Sequence, residues 1–215
     1  MTEKNLRFAR LLVLVNAAVP GILLLWDAAH HQLGANPVNF AILTTGMSAL
    51  IFLMLTLVVT PLRKISGWNW IIFSRRTLGL YAFFYALAHF LIFFSLDRSF
   101  NISSTLSEMV KRKYLVVGAT GLLVMVPLAV TSTNAMIKRL GGKRWRALHR
   151  LVYVAAIAGV LHFYMQVKAD VRRPLAFAGV LAILLGYRLV IYFQRPKPVA
   201  ATAGAKSAIP EARRD

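Results

Sequence analysis

The sequence predicts an all-α polytopic membrane protein, a bundle of six transmembrane helices with both termini in the cytoplasm, and three observations carry that reading. Of its 215 residues 58% are hydrophobic and only 15% charged, too apolar a balance for a chain that folds alone in water. The apolar residues fall in long uncharged blocks separated by short basic stretches, which is the pattern of repeated bilayer crossing. Lysine and arginine are also shared unequally between the two sides those crossings define: 19 of the 26 fall with the termini, the cytoplasmic side by the positive-inside rule. A formal net charge of +19 often signals a nucleic-acid partner, but these cations flank apolar spans and form no continuous polar surface, so no nucleic acid is expected. The bilayer is the expected partner. The chain has no cysteine, which excludes a disulfide scaffold, Fe–S clusters, thiolate zinc sites and cysteine nucleophiles.

The elements follow in order. The first span is residues 11–26, interrupted by Asn16 and Pro20; no small-residue cleavage site follows it and five more spans do, so it reads as a helix and not as a signal peptide. Residues 30–39 carry Gly34 and Pro37 and form a loop before the second span at 40–62. The third span lies between Arg76 and Asp97, which has no charge within it. Beyond it, Thr105-x-x-Glu108 has capping-box spacing and predicts a short helix at the outer interface. The fourth span occupies the uncharged run between Lys113 and Lys138; the fifth is 151–167, its start extending back towards Arg146. The sixth is 175–193 and carries Arg188 near its end. Residues 1–194 therefore form one transmembrane domain, and 195–215, rich in Pro, Ala, Lys and Ser, read as a disordered cytoplasmic tail. No internal repeat is legible.

A Gly-rich phosphate loop, a His-Glu-x-x-His motif and a membrane acid pair are all missing from the sequence, so hydrolytic and nucleotide-driven functions are not expected. The histidines are the chemistry. His30 and His31 fall in the first outer loop and read as solvated. His89, His149 and His162 lie in or at the ends of spans, where an ionisable side chain points to function. At about 1.5 Å per residue His89 stands about 20 Å from Arg76 and about 12 Å from Asp97. The same count puts His162 about 24 Å from Arg146 and about 9 Å from Lys168. The two share a level in the outer half. Two neutral imidazoles from different helices supply the axial ligands of a low-spin haem iron, against the alternative that each bonds a neighbouring carbonyl. His149 lies about 20 Å below His162, and for it a ligand role and a packing role both stand. The aromatic residues of the third span, from Tyr81 to Phe94, fit a porphyrin wall or ordinary helix packing. Arg98 or Arg172 outside suit haem propionates, and Arg75 or Arg76 inside suit an anionic cofactor; headgroup contact is the competing role.

At this point the residues resemble the MsrQ family (also called YedZ), within the ferric-reductase-like transmembrane group. The matching stretches are Leu33-Gly34-Ala35-Asn36-Pro37, Thr56-Leu57-Val58-Val59-Thr60-Pro61-Leu62-Arg63, Arg75-Arg76-Thr77-Leu78-Gly79-Leu80 leading to His89, Lys113-Tyr114, Pro127-Leu128-Ala129-Val130-Thr131-Ser132, and Lys143-Arg144-Trp145-Arg146-Ala147-Leu148-His149-Arg150-Leu151-Val152-Tyr153 leading to His162. The resemblance implies b-type haem held by His89 and His162, with His149 as the family's third histidine. It implies electrons drawn from the quinone pool or a cytoplasmic flavin reductase, and delivered to a periplasmic molybdenum-containing methionine-sulfoxide reductase subunit, across the bacterial inner membrane. Flavin mononucleotide (FMN) is also associated with the family, and Arg75, Arg76 and Trp145 are the residues assigned to cofactor binding. Many members carry a histidine just ahead of the Thr-Gly of the second helix, where this chain has Leu43; one haem is favoured over two.

On this reading the chain is an electron-transfer subunit and the final reduction belongs to its partner. The competing readings are a ferric-reductase-like membrane oxidoreductase and, from a different class, a small transporter or assembly scaffold whose histidines only pack helices. No span shows the paired Gly/Pro interruptions or acids of a midplane transport site.

Overall fold

The computed structural model describes residues 2–194; the tail expected at 195–215 lies outside the described residues. Among them there are helices and no strands, and six helical stretches are long and apolar enough to cross a membrane. The protein is a multi-pass membrane protein. The crossings are α1 (Glu3–Ala29), α2 (Pro37–Ser66), α3 (Ser74–Ile92) with short flanking turns that lengthen it to Asn69–Asp97, α5 (Lys113–Val130), α7 (Gly142–Leu148) joined to α8 (Leu151–Gln166), and α9 (Arg172–Phe193). Between them lie α4 (Ile102–Lys111) and α6 (Asn134–Leu140). Six crossings return the chain to the side on which it began.

Local chemistry sets the ends. Asn36 caps α2 by accepting from Asn39 N–H at 3.0 Å, with Pro37 at the first helical position. The helix ends at Gly67 (φ 72°), whose N–H returns to Arg63 O, a left-handed position that a residue with a Cβ adopts only at a cost. The short outer helix is present, but its start differs from the expected one. Asn101 caps α4 by accepting from Ser104 N–H at 2.8 Å, while Thr105 is buried in the first turn and donates back to Asn101 O. The capping-box spacing misled because Asn101, an equally good cap, stands one turn earlier.

The expected interruption of the first span is also corrected: α1 runs unbroken through Asn16 and Pro20. Asn16 Nδ2 donates to Leu12 O at 2.8 Å. One residue past the proline, the hydroxyl of Tyr85 on α3 accepts from Gly21 N–H at 2.8 Å and donates to Ala17 O at 3.0 Å, bridging two groups that an ordinary helix joins directly. A similar device holds α9. Pro61 has no N–H to offer Leu57 O, and Arg188 Nη2 donates to that carbonyl at 2.7 Å. The guanidinium also lies over the Tyr153 ring, so this intramembrane cation satisfies a carbonyl freed by a proline.

Half of the apolar stretch of α2 is buried within the protein, against 6% for α1, so α2 is the hub and α1 is peripheral. Leu57, Ala82 and Ala156 lie at the centre with no exposed surface. The two closest helix pairs are α2 with α3 and α5 with α8, and the site lies between these pairs.

Candidate functional site

His89 on α3 and His162 on α8 meet between the two pairs, their ring centroids 6.0 Å apart and their planes at 88°. Each ring is held in the same way. His89 Nδ1 lies 2.8 Å from Ile42 O, and His162 Nδ1 lies 2.8 Å from Tyr114 O. A carbonyl can only accept, so both Nδ1 atoms carry the proton and each neutral ring keeps its lone pair on Nε2. Four residues after each carbonyl comes a glycine against the same ring: a Cβ on Gly46 would stand 2.8 Å from His89 Nδ1, and one on Gly118 2.6 Å from His162 Nδ1. Only glycine lets the helices close on these imidazoles.

The two halves are a structural repeat that the sequence did not disclose. The carbonyl and histidine are 47 residues apart in one half and 48 in the other. In each half the glycine helix (α2, α5) runs towards the termini side and the histidine helix (α3, α8) runs back. Both histidines are followed by phenylalanine, Phe90 and Phe163. No repeat is legible in the sequence because the shared features are few: a backbone carbonyl, a glycine and a His-Phe pair.

Both imidazoles line a cavity of about 1200 Å³, larger than the ~300–1,000 Å³ of common small-molecule pockets. Its deep wall is apolar, with Leu50, Leu53, Met125 and Ala155. Leu43 is also on the wall. Its charge is at the mouth on the side away from the termini, where Arg98, Arg112, Lys168 and Arg173 stand with the acids Asp97, Glu108 and Asp170. Arg173, not Arg172, takes that position; the Arg172 side chain is 92% exposed. The aromatic stripe of α3 divides. Phe90 and Phe93 line the cavity, while Tyr81 and Tyr85 bond α1 carbonyls and pack with Phe52. Among the described residues no cluster of three or more His, Cys, Asp or Glu could hold a bare metal ion. Two facing imidazoles suit a metal that brings its remaining ligands in a macrocycle.

The third histidine is elsewhere. His149, between α7 and α8, stacks on Trp145 with centroids 4.0 Å apart, and its Nε2 is 3.1 Å from Thr131 Oγ1. Trp145 Nε1 donates to Thr131 O at 2.9 Å. Arg76 Nη1 donates to Asn134 Oδ1 at 2.9 Å, and Arg75 lies within electrostatic reach of His149 and Arg188. His149, Trp145, Arg75 and Arg76 thus gather on the termini side and do not line the histidine cavity. Reasoning from sequence missed Gly46, Gly118 and the carbonyls of Ile42 and Tyr114. The similar glycine-to-histidine distances offered a signal for the first two; backbone carbonyls offer none.

Fold and site together define a ferric-reductase-like transmembrane protein: residues 45–160 match the family described as "Ferric reductase like transmembrane component". Three relatives are more specific, each named "Protein-methionine-sulfoxide reductase heme-binding subunit MsrQ". The one from Herminiimonas arsenicoxydans is 47% identical over 80% of either chain. That from Ralstonia nicotianae is 43% identical over 95% of either chain, and that from Rhodospirillum rubrum 48% identical over 86% of this chain and 88% of its own. The chain belongs to the MsrQ family.

Proposed function

We propose that this chain is the haem-binding, electron-transferring membrane subunit of a methionine-sulfoxide reductase system, with one b-type haem between His89 and His162. The observation that carries the reading is the imidazole pair. Two metal–nitrogen bonds of about 2.0 Å and two ring radii of about 1.1 Å require centroids about 6.2 Å apart, and the spacing is 6.0 Å. Both rings carry their proton on the nitrogen bonded to a carbonyl, which fixes the tautomer and orients the ring in the way that partners of metal-bound histidines do. The cysteine-free sequence has no thiol for covalent haem attachment, so the group is held by its ligands and packing alone, as b-type haem is. A haem bound there supplies one-electron redox chemistry. The protein's own residues keep the rings in place, exclude water with the apolar wall and separate the metal from the lipid.

In this reading the termini are cytoplasmic and the membrane is the bacterial inner membrane. Electrons enter from the quinone pool or a cytoplasmic flavin reductase and leave on the far side to a periplasmic molybdenum-containing catalytic subunit, as in the resemblance drawn from the sequence. If FMN takes part, its cationic and aromatic surroundings are Arg75, Arg76 and Trp145, although Arg76 and Trp145 already have partners within the protein. His149 is assigned to that termini-side cluster and not to the haem.

The test is a reduced-minus-oxidised spectrum with haem quantitation on wild type and on His89→Ala, His162→Ala and His149→Ala. One haem per chain is expected, lost or converted to high spin in the first two variants and retained in the third. A colourless wild type, or unchanged spectra in His89→Ala and His162→Ala, overturns the assignment.

A further inference from the structure

The charged mouth of the histidine cavity contains a group its neighbours do not satisfy. Arg98 is largely withdrawn from solvent, its side chain 21% exposed, and its guanidinium lies over the Phe93 ring at 5.4 Å. Asp97 Oδ2 is 2.9 Å from Arg98 Nε. It belongs to the adjacent residue and lies off the N–H direction, so the shielded Nε–H has no acceptor. Glu108 is 3.7 Å from Arg98 Nη1, beyond hydrogen-bond distance, and is engaged by a close ion pair with Arg112. A shielded N–H without an acceptor is unfavourable in a finished structure even where carboxylates balance the charge nearby. Arg98 therefore points to a missing anion.

We propose that this mouth is a carboxylate-binding subsite in which Arg98, supported by Lys168 and Arg173, anchors the acidic edge of the tetrapyrrole and sets its orientation, propionates towards the side away from the termini. The inference rests on the haem reading above. Its logic is the polarity of the cavity: apolar at Leu50, Leu53, Met125 and Ala155, charged only at the outer end. A flat ligand with one carboxylate edge has one favourable way to enter such a space. The planar guanidinium of Arg98 presents paired N–H groups that match a carboxylate. Glu108 holds Arg112 beside it, and α4, which carries Glu108 with Thr105 and Met109 on the cavity wall, closes over the mouth.

The experiment compares haem with its dimethyl ester, which keeps the iron and ring but has no carboxylate charge. Both are loaded into the full-length apoprotein in lipid nanodiscs, and release to a soluble haem scavenger is timed for wild type, Arg98→Gln, Arg98→Lys and the exposed control Arg172→Gln. Wild type should lose the ester about tenfold faster than haem, the worth of one hydrogen bond to a charged group. Arg98→Gln should speed haem loss about tenfold and leave ester loss unchanged, Arg98→Lys should be intermediate, and Arg172→Gln should match wild type. The low-spin spectrum should persist in all of them. Equal release of haem and ester from wild type overturns the subsite, and this comparison needs no variant to fold. So does an Arg98→Gln protein that retains haem normally, or that loses both forms equally faster. A wild type without a low-spin spectrum overturns the haem reading itself, which separates the two failures.

Discussion

Gly118→Ala is the sharpest perturbation of the site because it leaves both histidines in place. The added Cβ would stand 2.6 Å from His162 Nδ1 and 2.9 Å from Cε1, whereas ordinary contact begins near 3.4 Å. The ring must move by about 0.8 Å, and a metal–ligand bond tolerates about 0.2 Å. The same movement pulls Nδ1 from Tyr114 O, a bond contributing about 1 kcal/mol. If α5 and α8 splay instead, overpacking costs about 1–3 kcal/mol. Either route weakens haem binding by about 5- to 150-fold. The assay is titration of apoprotein with haem, followed by the Soret band, beside Gly179→Ala and Gly186→Ala on α9, where an added Cβ meets nothing within 4 Å. Those two should bind as wild type does and gain a little stability, since alanine is the better helix former. Wild-type affinity and spectrum in Gly118→Ala would refute the claim that glycine is required for the helix to close on the ring.

Four further outcomes follow from the same geometry. Gly46→Ala, with its Cβ at 2.8 Å from His89 Nδ1, should weaken haem binding by a similar factor, measured in the same titration. With a haem bound between them, rings held at 88° would interact with different iron d orbitals and raise them equally. The ferric protein should therefore give a highly anisotropic low-spin EPR signal; a rhombic signal of near-parallel rings would contradict the geometry. Arg188→Met removes the donor to Leu57 O and should cost about 1–3 kcal/mol in unfolding; in a Pro61→Ala background, where the helix supplies its own N–H, the loss should shrink markedly, and equal losses would exclude the coupling. Tyr85→Phe leaves Gly21 N–H and Ala17 O without the hydroxyl that bridges them and should lower thermal stability in detergent while the haem spectrum is retained.

The six crossings were legible because hydropathy and charge report directly on a bilayer, and nothing in tertiary packing overrides a run of some twenty uncharged residues. The matched level of His89 and His162 was legible for a related reason. Each helix has a charged marker at either end, and a fixed rise per residue converts position into depth. What the chain does not display is azimuth and partner. Arg188 read as a charge near a helix end, and Pro61 as part of a motif, because nothing along the chain connects a carbonyl at Leu57 to a guanidinium 131 residues later. The continuity of α1 through Asn16 and Pro20 is hidden for the same reason: the hydroxyl that bridges the neighbouring turn comes from Tyr85, on another helix. Arg172 and Arg173 could not be separated from sequence either, since neighbours on a helix differ by about 100° in direction and only the packing of α9 determines which one reaches the cavity.

The repeat accounts for the most demanding requirement of the site, that two rings from distant parts of the chain meet at one level and separation. A helix hairpin that carries a carbonyl, a glycine one turn later and a returning histidine fixes one imidazole relative to its own two helices. The same hairpin used twice places two imidazoles at equal depth once the hairpins face each other, with no separate adjustment for the second ring. The glycines set how closely each hairpin closes and the carbonyls set which nitrogen is left free, so the spacing across the cavity depends only on how α3 packs with α5 and α2 with α8. Those contacts are less extensive than the ones within each hairpin. Variants at the hairpin seams, Gly46 and Gly118, should therefore disturb one ligand each, whereas variants between hairpins should change the distance across the pair. Gly159 on α8, where an added Cβ would meet Leu50 of α2 at 3.4 Å, is the place to test this. Gly159→Leu should push against Leu50 across the seam, change the distance across the pair and weaken haem binding, with the histidine-to-carbonyl bonds of both hairpins intact in the ring-nitrogen NMR signals of the apoprotein. Loss of one of those bonds in Gly159→Leu would show that the hairpins do not act as separate rigid units.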